Sequence, residues 1–288
     1  MNASHRVLAL ALLLTFWWCA ISTGFAQQNS GVPRDDEDET LSTRENDPTA
    51  SLTQIQVKDI YTPAEYGTNA QPNVIQVRSV LAVSPLTLLP VEQLIRPTLK
   101  IVTEPRGKGS ATATGYDDMQ LFDLLVLPWP DAKETLFRWA IGPYLVLPTS
   151  SIKYAGQGSW QIGPAFGFSY RGVPRLNLSG LMQQATSFAY TSSRSKPTTS
   201  LTFQPLLSYD LNDDWYLKSS DATWTFNLRH RTSTTIPFSA GGGKVWRISK
   251  GYAIDTSLSG EWMLYRQFAT QTEQFSLVFQ IALLLPKG

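Results

Sequence analysis

Residues 160–171 read Trp160-Gln161-Ile162-Gly163-Pro164-Ala165-Phe166-Gly167-Phe168-Ser169-Tyr170-Arg171, and every second side chain from Trp160 is large and apolar. The side chains between them are small or polar. Because a β-strand turns successive side chains to opposite faces, only one face of this segment is apolar. From Trp160 to Tyr170 a tilted strand spans about 25 Å, the height of the lipid-facing band of an outer-membrane barrel. The stretch therefore predicts a strand between lipid and a wet lumen.

The same two-residue period recurs after residue 51 in a series of segments. They are Leu52–Ile60, Asn73–Val83, Leu94–Thr103, Asp118–Leu127, Phe137–Leu147, Ser159–Arg171, Leu176–Phe188, Leu201–Tyr209, Trp215–Leu228, Ile236–Ile248, Ala253–Leu264 and Phe275–Leu285. Two of them, Asp118–Leu127 and Trp215–Leu228, change phase midway, which indicates bulges or misplaced boundaries. Longer polar loops alternate with short turns, as in outer-membrane barrels. The pattern predicts an all-β fold over residues 52–288: a single antiparallel transmembrane β-barrel of about 12 strands.

Prolines interrupt several of these segments. They are Pro97, Pro143, Pro164, Pro205 and Pro237. Proline cannot donate a hydrogen bond to the ladder, and a closed barrel has no free edge on which to place it. We therefore expect each proline to mark a bulge, a strand end or a kink.

Residues 1–26 have the pattern of a signal peptide. Arg6 supplies the positive charge, Val7 to Ala20 is almost wholly apolar, and Gly24-Phe25-Ala26 offers a cleavage site. This apolar run is too short to span a bilayer. The single cysteine, Cys19, lies within it, so we expect a mature chain without disulfides.

Residues 27–51 follow as a predicted disordered acidic tail. Seven acidic residues and almost nothing apolar lie between Gly31 and Ala50, a composition that cannot bury enough surface to fold alone. We interpret the tail as a solvated spacer. Binding of a cationic partner is the alternative interpretation.

The composition of the remaining chain excludes several classes. Charged residues make up 16% of the sequence, against about a quarter in soluble domains. From Gln71 onward 20 lysines and arginines face 14 acidic residues, without the clustered basic patches of a nucleic-acid-binding protein. After the leader no apolar run is long enough for a transmembrane helix. Any membrane span must then be a closed sheet.

Few residues offer catalytic or metal chemistry. His230 is the only histidine after the leader, and it lies between two arginines near Ser233. A hydrolase needs a base beside a nucleophile, but a histidine in this context is typical of a plain loop. There is no histidine pair and no cysteine cluster for a metal. The run Ala240-Gly241-Gly242-Gly243-Lys244-Val245 lacks the spacing of a phosphate loop and indicates a bent strand instead. We expect no enzyme, no cofactor and no metal.

The polar face of the strands predicts the lining of a lumen. One interpretation is a solute path whose charges set selectivity. The alternative is that inward polar side chains bind one another and fill a narrow barrel, and a barrel of about 12 strands allows both. The predicted lumen-facing residues are Arg96, Lys100, Arg138, Gln161, Arg171, Gln183, Gln204, Asp255 and Glu261, to which the alternation adds Asn177 and Gln280.

Four ordered motifs resemble a known family. They are Gln120-Leu121-Phe122-Asp123-Leu124 with Pro128-Trp129-Pro130; Gly142-Pro143-Tyr144-Leu145-Val146-Leu147-Pro148-Thr149 with Gly158-Ser159-Trp160-Gln161-Ile162-Gly163-Pro164-Ala165; Leu206-Leu207-Ser208-Tyr209-Asp210-Leu211 with Trp215-Tyr216-Leu217-Lys218-Ser219-Ser220; and Gly243-Lys244-Val245-Trp246-Arg247-Ile248. The chain from Leu52 onward is similar to bacterial envelope proteins labelled transporter or, misleadingly, neuromedin U. These are related to outer-membrane transporters of phenol and other aromatic-degradation pathways. The in-strand prolines recur in the family's motifs, and the acidic tail lies outside the resemblance.

The resemblance implies a barrel in a Gram-negative outer membrane and a transport role, and it brings no catalytic residues. We expect a channel for a small, apolar or aromatic solute. The alternatives are a structural or ligand-binding barrel with a plugged lumen, and a secreted soluble β-sandwich or lectin. Expected partners are outer-membrane lipids, the barrel-assembly machinery and a small-molecule solute, with no nucleic acid.

Overall fold

The computed structural model describes residues 41–85, 90–127, 136–191, 196–211, 214–219, 221–229, 233–249, 252–267 and 271–285. The predicted signal peptide, the first part of the predicted tail (residues 27–40) and His230 lie outside the described residues.

The described chain is built almost entirely of antiparallel strands. One short helix, α1 (Leu41–Glu45), precedes them. The strands are β1 (Thr53–Tyr66), β2 (Asn73–Val83), β3 (Glu92–Pro105), β4 (Thr112–Tyr116), β5 (Met119–Val126), β6 (Phe137–Leu147), β7 (Ser159–Val173), β8 (Leu176–Tyr190), β9 (Thr199–Asp210), β10 (Trp215–Ser219), β11 (Trp224–Asn227), β12 (Thr234–Ser249), β13 (Tyr252–Gln267) and β14 (Thr272–Leu285).

The sheet closes on itself. β1 pairs with β2 on one side and with β14 on the other, from Thr53 opposite Leu285 to Tyr66 opposite Thr272. Two positions around the sheet hold two strands each, because β4 and β5 both pair with β3, while β10 and β11 both lie between β9 and β12. The result is a closed 12-strand β-barrel, which confirms the predicted fold class.

One of the two divided positions explains a phase change in the sequence. β10 and β11 are separated by residues 220–223, within the segment Trp215–Leu228, and this interruption shifts the alternation there. The break between β4 and β5, at Asp117 and Asp118, precedes β5, which keeps a single phase from Met119 to Val126. The apparent phase change in Asp118–Leu127 arises because its inward side chains Phe122 and Leu124 are apolar.

The in-strand prolines lie where ladders are interrupted. At Pro237 the pairing of β12 with β13 shifts register, as expected for a bulge. Pro143 and Pro164 lie directly opposite each other in β6 and β7, and the ladder between those two strands is continuous. The interruptions lie on the other side of each strand, because residues 142–143 are skipped in the β5–β6 pairing and residues 163–164 in the β7–β8 pairing. Beside Pro143, a Cβ on Gly142 would stand 1.6 Å from the Asp123 carbonyl oxygen of β5. Gly142 therefore lets the backbones of β5 and β6 approach closely beside Pro143, which has no N–H group to donate to the ladder.

Exposure follows the alternation. In β14, Leu277, Phe279 and Ile281 are exposed, whereas Val278 and Gln280 between them are buried. In β13, Leu258 is 57% exposed while its inward neighbours are buried. A closed sheet with an exposed apolar outer surface is the architecture of a transmembrane barrel. Among the described residues no helix has the length and apolar character needed to cross a membrane.

The two ends of the barrel differ in their connections. Only residues 174–175 join β7 to β8, whereas residues 148–158 join β6 to β7 at the opposite end. We call these the turn end and the loop end. In outer-membrane barrels short turns face the periplasm and long loops face outward. Thr53 and Leu285 both lie at the turn end.

The sequence predicts a disordered tail that extends to Ser51, whereas the structure describes an ordered segment from Leu41 onward. Residues 41–52, which we call the plug, lie inside the barrel, and most of their side chains are buried. The prediction is wrong for residues 41–51, because polar side chains that lack partners in an isolated tail find them on the luminal wall, which offsets the entropy lost on ordering.

The assigned faces can be tested at two adjacent positions of β7. Phe166 faces outward, whereas a side chain at Gly167 would point inward, toward Leu124 and Thr49. We expect Phe166→Asp to reduce the yield of heat-modifiable barrel in membranes, because a charge on the lipid face costs up to roughly 2–4 kcal/mol at mid-depth and somewhat less for aspartate. Gly167→Asp should insert normally. Equal membrane yields for the two variants would contradict the assigned faces.

Candidate functional site

The plug is anchored at the turn end by hydrogen bonds to the strands of one wall. Ser42 Oγ and Thr43 Oγ1 donate to the two carboxylate oxygens of Asp210 in β9, at 2.7 and 2.6 Å. Asp47 forms an ion pair with Arg171 of β7. The backbone N–H and hydroxyl of Thr49 both donate to Asp47 Oδ1 at 2.7 Å. The turn at Asp47 is thus fixed both within the plug and to the wall.

Glu45 binds the opposite wall. Gln56 of β1 and Gln280 of β14 each donate from Nε2 to Glu45 Oε1, at 2.9 and 2.7 Å. In the sheet order β1 and β14 lie half-way around the barrel from β7 and β8. The plug therefore crosses the lumen and is held by polar groups on both sides.

A second inward feature comes from the break between β10 and β11. Asp221 forms ion pairs with Lys58 of β1 and with Lys218 of β10, the latter at 3.0 Å, and accepts a hydrogen bond from Ser259 Oγ at 2.6 Å. The Asp221 and Lys218 side chains are both nearly inaccessible to solvent. Charges buried this deeply need direct partners, which Asp221 provides for both lysines.

Tyr216 extends the polar network toward β13. Its hydroxyl donates to Asp255 Oδ1 at 2.8 Å, and Gln280 Nε2 lies 3.3 Å from Asp255 Oδ2. Gly243 lies directly opposite Tyr216, and a Cβ there would stand 2.5 Å from the tyrosine oxygen. The glycine run therefore lies inside β12, where it makes room for a luminal tyrosine.

The loop end holds a cavity of about 390 Å³. We call it the vestibule, and its lining includes Glu104, Asp117, Gln120, Tyr144, Gln161, Gln183, Thr202 and residues 154–157. The loop 148–158 is fastened by Asp118, whose carboxylate accepts backbone hydrogen bonds from Ser150 at 3.1 Å and Gln157 at 2.7 Å. Burial raises the pKa of Asp118, against the effect of these hydrogen bonds.

Part of the inner wall is apolar. A buried cluster on β3 and β5 to β8, which we call the luminal apolar patch, comprises Leu94, Phe122, Leu124, Ala140, Tyr144, Val146, Ala165, Leu181 and Ala185. These side chains lie on the inward positions of their strands, since their sequence neighbours are more exposed. The lumen therefore combines a polar plug and charge network with an apolar stretch of wall.

The residues predicted from sequence to face the lumen fall into several groups. Gln161 and Gln183 line the vestibule, Arg96 and Gln204 line a smaller cavity beside the plug, and Asp255 and Glu261 are buried in β13. Arg171 binds the plug, Lys100 lies 3.8 Å from Asp117, and Arg138 is half-buried near the turn end. That any of them lies on a solute path remains a prediction.

Sequence reasoning missed the plug residue Glu45 and the luminal charges Lys58, Arg78, Lys218 and Asp221. The sequence did contain a signal that Lys58 and Arg78 face the lumen. The polar residues Gln54, Gln56 and Lys58, and likewise Gln76 and Arg78, alternate with apolar residues. Lys218 and Asp221 lie where the alternation breaks. Within the described residues no group of three or more histidine, cysteine, aspartate or glutamate side chains could hold a metal ion.

These features define a transmembrane β-barrel whose own N-terminal segment occupies its lumen. The chain belongs to the family described as "Putative MetA-pathway of phenol degradation", whose model matches residues 72–279. No protein of curated function matches the sequence.

Comparison with solved structures supports the fold. An outer membrane channel from Pseudomonas putida F1 is 13% identical, with a TM-score of 0.58 over 81% of this chain and 94% of that one. The NanC porin is 11% identical, with a TM-score of 0.45 over 81% and 100% of the two chains. A Pseudomonas aeruginosa FadL homologue is 10% identical, with a TM-score of 0.35 over 85% and 93%. Only the first is similar enough to support the fold assignment.

The attachment of the plug can be tested at Asp210. In Asp210→Ala both hydroxyl donors of α1 lose their acceptor, and hydrogen bonds to a charged group contribute roughly 1.5–3 kcal/mol each. We expect the open fraction in single-channel recordings to rise about tenfold or more. Asp214→Ala is the matched control, since Asp214 lies at the same end but binds Arg247 instead of the plug. An unchanged open fraction in Asp210→Ala would show that these bonds do not hold the plug.

The role of Asp118 is tested by proteolysis of the loop it fastens. Asp118→Ala removes the acceptor of two backbone N–H groups, and trypsin should then cleave after the exposed Lys153 several-fold faster. Asp117→Ala should leave the cleavage rate unchanged, because the Asp117 carboxylate faces Lys100 rather than the loop. Equal cleavage rates in the two variants would mean that other contacts order the loop.

Proposed function

We propose that the protein is an outer-membrane channel for a small apolar or aromatic solute, and that displacement of the plug opens its lumen. One observation carries the proposal: a vestibule of about 390 Å³ at the loop end meets a lumen blocked by a segment held through side-chain hydrogen bonds and an ion pair. Such contacts can be exchanged for water one at a time. A lumen filled by strand side chains would offer no comparable movable element.

The apolar character of the solute follows from the luminal apolar patch. Phe122, Leu124 and Leu181 belong to it. Apolar side chains that face water contribute no stability. An apolar solute that contacts them in transit is stabilised by about 25 cal/mol for each Å² of apolar surface removed from water. Membership of a family described by phenol degradation agrees with an aromatic solute.

A structural or ligand-binding barrel with a permanent plug is the second candidate. The observation in its favour is that the plug is bound to both walls of the barrel. The earlier alternative of a soluble β-sandwich is wrong, because the strands form one closed sheet whose outer surface is apolar. We assign no catalytic role to the chain.

The surroundings of the barrel follow from the same proposal. The exposed apolar side chains would contact outer-membrane lipids, and insertion would require the barrel-assembly machinery.

Planar bilayer recordings test the proposed function. We expect small, infrequent conductance steps from the wild type and larger, sustained steps from a variant lacking residues 41–50. Millimolar phenol should reduce the ion current of the deletion variant, because the solute occupies the apolar patch, and glucose should not. Leu181→Asn should weaken the block by phenol several-fold, whereas Leu258→Asn on the outer surface should not. Absence of conductance in both wild type and deletion variant would favour the structural barrel.

A further inference from the structure

Two arginines on neighbouring strands point into the same small cavity. Arg78 of β2 lies directly opposite Thr98 of β3, and Arg96 precedes Thr98 by two residues on the same face. Residues at such diagonal positions have Cα atoms about 7–8 Å apart, within reach of long side chains. Both arginines line a cavity of about 50 Å³ that is enclosed by the plug and by side chains of β1, β2, β3, β5, β9 and β14.

Neither arginine has an acidic partner in the part of the chain that the structure describes. The ion pairs there use Lys58, Lys218 and Arg171, together with Lys100 and Arg247. The Nε atoms of Arg78 and Arg96 are both buried without a hydrogen-bond acceptor. Both side chains are half-buried. Buried charged groups are ordinarily paired and hydrogen-bonded, so two adjacent guanidinium groups without a direct acidic partner are suited to an external anion.

The carboxylates nearest the cavity do not contact the two arginines. Glu45 Oε1 accepts hydrogen bonds from Gln56 and Gln280, while Glu45 Oε2 is buried without a hydrogen-bond partner. Asp47 is paired with Arg171. Asp221 and Glu45 act on Arg78 only through space, beyond ion-pair distance. The cavity has a positive wall that the plug leaves without a direct counter-ion.

One side of the cavity is suited to a hydrocarbon group, whereas the amides of Gln54, Gln56, Gln204 and Gln280 line the other side. The Arg96 guanidinium carbon lies 4.0 Å from the centre of the Phe122 ring, which stands directly opposite it in β5. Leu94 and Leu206 also line the cavity. The stacked ring fixes the plane of the guanidinium, and a fixed fork of N–H donors matches a carboxylate.

The size of the cavity restricts the anion. A volume of about 50 Å³ accommodates roughly three to five water molecules at about 10–15 Å³ each. This space suits a carboxylate group and the carbon atoms directly attached to it. The apolar side chains Leu94, Phe122 and Leu206 leave part of the wall without hydrogen-bond donors. An inorganic oxyanion carries polar oxygens on every side and would leave some of them unpaired there.

We propose that Arg78 and Arg96 form a binding site for the carboxylate of a small organic acid, with Phe122 and Leu94 facing its hydrocarbon part. The site rests on the proposed function only in that a channel would deliver such a solute to it. Charge-assisted N–H···O bonds from two guanidinium groups would hold the carboxylate. The apolar patch, of which Leu94 and Phe122 are part, would receive the remainder of the molecule.

Binding is tested on the purified full-length barrel in detergent, without any transport step. The ¹³C resonance of carboxyl-labelled benzoate and acetate is followed during titration, with protein-free micelles as the blank. We expect saturable shifts or broadening for both anions, tighter binding for benzoate because its ring contacts the apolar wall, and none for neutral benzamide. Arg78→Gln and Arg96→Gln should each weaken binding at least tenfold, and Arg96→Lys should weaken it less.

Arg106→Gln is the matched control, because Arg106 is exposed in the loop between β3 and β4. It should change binding less than twofold. Heat-modifiable migration verifies that each variant is folded, and the comparison of benzoate with benzamide on the wild type does not depend on any variant. The proposal is overturned if benzamide binds as benzoate does, if Arg96→Gln retains wild-type binding in folded protein, or if equimolar phosphate displaces benzoate.

The bilayer recordings separate this site from the proposed function. Arginine-dependent benzoate binding by a barrel that never conducts would support the site and contradict the channel. Block of the conducting deletion variant by phenol, without benzoate binding to the full-length barrel, would support the channel and overturn the site.

Discussion

The hydrocarbon core of a membrane offers no hydrogen-bond partner to a peptide group, and this constraint determines the architecture. Every strand needs a neighbour on both sides, so the first and last strands must meet. They do so along most of their length, from Thr53 opposite Leu285 to Tyr66 opposite Thr272. Pro143, Pro164 and Pro237 are tolerated because the ladder on one side of each is locally interrupted or shifted. The plug and the luminal charge network lie within the closed wall.

Closure creates an interior that must be filled or wetted. In the part of the chain that the structure describes, two segments enter it: the plug and the chain between β10 and β11 that carries Asp221. Each brings carboxylates to luminal lysines, arginines, amides or hydroxyls, so several of the buried charges are paired. At the wall beside Arg78 and Arg96, basic side chains outnumber their direct partners. The distribution of charge in the lumen is therefore uneven, and its positive region adjoins an apolar one.

Alternation of side chains was sufficient to predict the barrel, its strand number and its outer surface, because each strand carries its own two-residue period. The phase change in Trp215–Leu228 also located the break between β10 and β11. It could not predict that residues 41–51 enter the lumen, since their partners, such as Asp210 and Gln280, are distant in sequence. Asp221 was missed for the same reason: its role depends on Lys58, far away on β1. Alternation identifies the face of a residue, whereas its partner depends on how the sheet closes.

Glu45 binds one amide from β1 and one from β14, the two strands whose pairing closes the sheet. An unclosed sheet cannot present both amides to the same carboxylate oxygen. During biogenesis the plug can therefore settle only as the first and last strands come together. The hydrogen bonds of Glu45 would then form late in assembly. They would connect the N-terminal segment to the C-terminal strand and stabilise the pairing of the first strand with the last.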